Sequence, residues 1–74
     1  MSLVYVLVNT EPSQMEMVLA KIKEIDSVDE AYMVYWIYDI YVKVKTEIPK
    51  ELKEIVQKIR TQDNIQSTLT LRAT

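Results

Sequence analysis

The sequence repeats itself at an offset of 36, where residues 5–11, YVLVNTE, align with residues 41–47, YVKVKTE, sharing Tyr, Val, Val, Thr and Glu. The likeness returns at residues 26–28, DSV, against residues 63–65, DNI, one position further out of phase. Two copies of one supersecondary unit are implied. With 74 residues in all, the two halves share a single core, because a chain this small buries only about 60% of the surface its unfolded form exposes.

Each half reads strand, helix, strand. In the first, LVYVLVN is rich in β-branched and aromatic residues, as strands are. Ser13 and Glu16 have the spacing of a capping box. Met15, Val18, Leu19, Ile22 and Ile25 then recur at intervals of three and four, which predicts a helix over residues 14–25. A strand is expected from Val28 to Tyr35. In the second half, Asp39 to Thr46 alternates Ile40, Val42 and Val44 with Tyr41, Lys43 and Lys45, the period of a strand with two unlike faces. Pro49 suits a first helical turn, and Leu52, Ile55, Val56 and Ile59 form one apolar stripe after it. The last strand is expected over Ile65–Arg72. The expected fold class is therefore α+β: a ferredoxin-like βαββαβ unit over residues 1–74, with a four-stranded antiparallel sheet and both helices on one face.

Composition closes several routes to function. With no Cys and no His, neither a disulfide, an ordinary zinc site nor a Ser-His or Cys-His nucleophile pair can be built. No metal or cofactor is expected, and enzymatic activity is not. A net charge of −2 leaves no cation surplus to neutralise phosphates, so direct nucleic-acid binding is not expected. The longest apolar run, LVYVLV, falls far short of the roughly 20 residues of a membrane span, and no secretory leader is visible. The expectation is a soluble, cytoplasmic protein. Small scaffolds without disulfides or metals commonly rely on oligomerisation.

The period-two pattern shows where the oligomer would form. Val4, Val6 and Val8 match Ile40, Val42 and Val44 under the repeat, so both sets should face the helices. Leu3, Tyr5, Leu7, Tyr41, Lys43 and Lys45 then face away. A one-sided antiparallel sheet should be polar there, yet the first strand has no polar residue on that face before Asn9. A contiguous apolar patch marks an interaction surface, and Tyr is enriched at such surfaces. A sheet-to-sheet homodimer through Leu3, Tyr5, Leu7, Tyr41 and Lys43 is expected.

The order of these elements, the aspartate after a strand-ending turn in VYWIYDIYV and the hydroxyl-rich end IQSTLTLRAT resemble the effector-binding domain of the leucine-responsive and asparagine regulator (Lrp/AsnC) family, also known as the RAM domain. The resemblance spans essentially all 74 residues and lacks the family's N-terminal helix-turn-helix, which implies a stand-alone version. It implies an amino-acid-sensing and oligomerisation module of transcriptional regulation, whose dimers assemble further, as octamers for instance, and which can associate with full-length Lrp/AsnC regulators. It places the amino acid at contacts between dimers, with Tyr35, Trp36, Tyr38 and Asp39 on the turn and Thr68 and Thr70 closing the site. A carboxylate accepting from an ammonium group suits such a ligand. Family members usually carry Gly just ahead of the aspartate, where this chain has Trp36.

Each of these residues also has a plainer reading. Asp39 can cap its own turn, Thr68 and Thr70 are good strand residues, and Lys43 can be a rim charge. A purely structural assembly module without ligand, or an amino-acid-binding domain of the ACT type, are the alternatives. The ACT type usually has Gly before its first helix, and TEPSQ has none.

Overall fold

The computed structural model describes residues 2–73. Its elements run β1 (Ser2–Thr10), a 3-10 turn (Pro12–Gln14), α1 (Met15–Lys23), β2 (Val28–Met33), β3 (Ile40–Thr46), α2 (Pro49–Arg60) and β4 (Ile65–Arg72). The strands form one antiparallel sheet in the order β2-β3-β1-β4. This is the ferredoxin-like α+β arrangement expected from the repeat.

The repeat is visible in three dimensions. Val4, Val6 and Val8 pair directly with Val44, Val42 and Ile40, and all six are buried against one another and the helices. Val18 and Ile22 of α1, with Leu52, Ile55 and Ile59 of α2, close the core from one side. Both helices lead into turns of one design. Ser27 and Asn64, the middle residues of the matching DSV and DNI triplets, have φ of 77° and 70°, the left-handed region that most side chains avoid. Each anchors its turn to the sheet, the Ser27 carbonyl accepting from Lys45 N–H at 3.0 Å and the Asn64 carbonyl from Glu11 N–H at 2.9 Å. A chain without glycine meets the same backbone demand twice with a small polar residue.

Three local expectations are corrected. The capping box at Ser13 and Glu16 does not form: Ser13 lies inside the 3-10 turn, Gln14 precedes α1, and no side chain caps it. Pro12 is the cause, since its fixed φ favours the first position of a helical turn and so winds the chain two residues early. The first helix stops at Lys23, not residue 25, as Glu24 and Ile25 donate to Lys21 and Ile22 three residues back in the tighter 3-10 pattern common at helix ends. The second strand stops at Met33, leaving Tyr35 outside it. Val34 N–H donates to the Asp39 carbonyl at 3.0 Å, closing a loop, while Asp39 N–H turns to the Val8 carbonyl at 2.9 Å. The third strand accordingly starts at Ile40.

Candidate functional site

The helix-free side of the sheet is built from the residues that alternate with the core. Directly paired residues share a face, so one row across all four strands reads Tyr32, Tyr41, Leu7, Leu69 and the next reads Glu30, Lys43, Tyr5, Leu71. The rings of Tyr32 and Tyr41 stack with centroids 4.9 Å apart, and Tyr5 lies 5.8 Å from Tyr41 on the diagonal. The first row is thus apolar from edge to edge. Leu7, flanked by Tyr41 and Leu69, is only 8% exposed, whereas Leu71 is 48% exposed. Leu3 pairs with Lys45 on this same face.

One charged corner interrupts the patch. Register slips between Val28 and Glu30, so Asp29 is an extra, bulged residue and two carboxylates stand opposite Lys43. Lys43 Nζ lies 3.5 Å from Asp29 Oδ2. Burial pulls the Lys43 ammonium down, but Glu30, Asp29 and Tyr5 outweigh it and hold its pKa above the ordinary value. The neighbouring Tyr41 hydroxyl is also raised, by burial first and then by Tyr32, Glu30 and Tyr5, against a smaller opposing pull from Lys43.

The second feature is the turn at residues 34–39. Asp39 Oδ2 accepts from the Thr10 backbone N–H at 2.9 Å, tying the turn to the end of β1. Its other carboxylate oxygen has no partner among the described residues. Trp36 and Tyr38 lie against each other with ring centroids 5.7 Å apart. Trp36 is nevertheless 64% exposed, and Tyr35 and Ile37 project still further. Beneath the turn, Thr10 is buried and its Oγ1 lacks a hydrogen-bond partner.

The structure gathers Tyr35, Trp36, Tyr38 and Asp39 on one turn but does not bring Thr68 and Thr70 to them within a protomer. These threonines pair with Val8 and Val6, and so sit on the helix side of β4. The whole width of β1 separates them from β3, about 10 Å at two strand spacings. Leu3, Tyr5, Leu7, Tyr41 and Lys43 do share the helix-free face. Sequence reasoning missed Tyr32, Leu69 and Leu71 there; the alternation of TLTL was the available signal for the two leucines. Among the described residues no cluster of acidic side chains is arranged to hold a metal ion, and no helix is long and apolar enough to cross a membrane.

Comparisons with known proteins agree with this architecture. A family model described as the Lrp/AsnC ligand binding domain matches residues 3–74. A hypothetical protein from Pyrococcus horikoshii is 37% identical, with a TM-score of 0.89 over 100% of this chain and 90% of that one. AsnC from E. coli is 31% identical, with a TM-score of 0.85 over 97% of this chain and 50% of that one, so the likeness takes in half of AsnC. A feast or famine regulatory protein from M. tuberculosis, solved complexed with L-methionine, shares the fold at 23% identity and a TM-score of 0.77, over 97% of this chain and 49% of that one. No curated protein matches.

Proposed function

The chain belongs to the Lrp/AsnC ligand-binding-domain family, and from that premise we propose that it is an amino-acid-sensing and assembly module of transcriptional regulation. In this reading two copies pair through their helix-free faces. The exposed tip of the turn, Tyr35 to Ile37, then packs between dimers to build a higher oligomer such as an octamer, and an amino acid is held there. Full-length regulators of the family, working in the cytoplasm, are partners into which such dimers could exchange.

The observation that carries the reading is the state of Asp39. One carboxylate oxygen is fixed by Thr10 N–H, which orients the group, and the other is left to accept from an ammonium. Charge-assisted hydrogen bonds of this kind are among the strong ones. The Trp36 and Tyr38 rings in the same turn offer apolar surface to a side chain. Support comes from the M. tuberculosis relative, whose L-methionine has both an ammonium group and an apolar side chain. Thr68 and Thr70 enter only as contributions from a neighbouring protomer.

Calorimetry with the twenty amino acids, run on wild type and Asp39→Asn, tests the proposal. Asn keeps an oxygen for Thr10 N–H but loses the charge, so the turn should stay folded while affinity falls roughly tenfold to a hundredfold, the worth of a hydrogen bond to a charged group. An intact oligomer giving no heat with any amino acid at millimolar concentration would remove the sensing role. That outcome selects the purely structural assembly module, a reading favoured by the part Asp39 already plays in tying the turn to β1.

A further inference from the structure

Helix α2 sorts its charges between two grooves. Its residues 49, 52, 53, 56, 57 and 60, spaced as one helical stripe, line a groove of about 320 Å³ facing β4. From the sheet, Val4, Thr70 and Arg72 complete it. Three lining residues are cationic, Lys53, Arg60 and Arg72, and none is acidic. The groove on the other side of α2, of about 630 Å³, has the opposite bias: Glu24, Asp26, Glu51 and Glu54 against Lys21 and Lys58, a balance of −2. In a chain of net charge −2, a groove whose charged side chains are all positive is a local reversal of sign.

We propose that the α2–β4 groove docks an extended acidic segment of another polypeptide, lying along the free edge of β4. Three features select that occupant. The floor is apolar and sealed, with Val4 and Leu52 buried, so it can take apolar side chains from the inward face of an added strand. Lys53 and Arg60 are exposed on the rim, where they meet carboxylates carried on that same face. Among the described residues β4 is bonded to no strand but β1, and the outer edge of an end strand offers backbone donors and acceptors to an added strand. Twelve residues of α2 make a wall about 18 Å long, which matches about five extended residues. A second copy would have to offer β2, the other edge of the sheet, where Asp29 and Glu30 lie; it fits poorly, because Asp29 is already paired with Lys43 and the bulge at that residue breaks the regular edge. The groove is on the helix side, so pairing of the helix-free faces and the turn at Asp39 are separate from it.

The test is fluorescence anisotropy of a labelled nonapeptide, Leu-Ser-Asp-Ser-Leu-Ser-Asp-Ser-Leu, whose Leu and Asp share one face when extended, titrated with the full chain, beside peptides carrying Asn or Lys in place of Asp. The acidic peptide should bind, the Lys peptide should not, and added salt should weaken the complex. Lys53→Glu with Arg60→Gln alters two exposed side chains and should weaken binding at least about tenfold, with circular dichroism unchanged. Amide shifts should fall on residues 66–72. Absence of binding at millimolar concentration, equal affinity for the Asn peptide, or shifts confined to the helix-free face would each overturn the proposal. So would self-association of the unliganded chain that the double variant abolishes, since the occupant would then be a second copy.

Discussion

Replacing Leu71 by Asp tests the proposed pairing of helix-free faces without entering the protomer's core. Leu71 is 48% exposed in the protomer, so about half of its area remains to be buried on association. Full burial of a leucine contributes about 1.5–3 kcal/mol, and half of that is about 0.7–1.5 kcal/mol. A two-fold interface counts each change twice, giving about 1.5–3 kcal/mol, before the cost of burying two carboxylates is added. At 1.4 kcal/mol per decade the dimer Kd should rise by roughly one to two orders of magnitude or more. Sedimentation velocity over a concentration series reads this directly, and a thermal melt of the dilute variant checks that the protomer is intact. Leu7→Asp is the instructive contrast: with Leu7 only 8% exposed before any pairing, that variant should lose the fold itself. A Leu71→Asp protein with wild-type Kd, or a wild-type chain that stays monomeric at high micromolar concentration, refutes the reasoning.

Other substitutions probe single physical claims. Ser27→Gly should raise stability by about 0.5–1 kcal/mol, because relief at a left-handed residue exceeds the added freedom of the unfolded chain; an unchanged or lower midpoint in urea would count against strain there. Thr10→Val removes a buried hydroxyl without a partner and keeps the backbone bond to Asp39, so it should stabilise by about 1 kcal/mol, and a loss of that size would show that the hydroxyl is in use. Stability should also fall in alkali. Tyr41, raised above its ordinary 10.0, resists ionisation when folded, so stability declines as pH climbs from the unfolded value to the folded one. Lys43, raised above its ordinary 10.5, contributes stability fully below the unfolded value and loses it as pH passes the folded one. Urea midpoints compared between pH 9 and pH 11 should therefore drop, and Tyr41→Phe with Lys43→Met should flatten that part of the profile.

What could be read from the sequence depended on whether a feature is periodic. Val4, Val6 and Val8 with Ile40, Val42 and Val44 were legible as one buried face, because strand alternation is regular and the repeat supplied the partner. The membership of Tyr32 on the opposite face was not, since the bulge at Asp29 shifts the register by one residue and no alternation shows where an extra residue enters. Leu69 and Leu71 alternate plainly, yet which side of the sheet they take follows only from pairing with Leu7 and Tyr5. Ser13 was misread because the local rule for Pro12 outweighs the capping pattern. The bond from Thr10 to Asp39 joins residues 29 apart, and nothing local announces it. Of the candidate site, the turn as a unit was legible; its separation from Thr68 and Thr70 was a matter of sheet order.

That sheet order has a consequence for how the protein is made. β1 is an inner strand bonded to β3 on one side and to β4 on the other. Sixty-seven residues lie between the partners Val4 and Arg72, and contacts so distant along the chain fold slowly because a large loop must close first. On the ribosome β1 therefore waits with one edge unsatisfied until β4 clears the exit tunnel. A nascent chain interrupted before Ile65 would present that bare inner edge, and β4 acts as the clasp that ends its exposure.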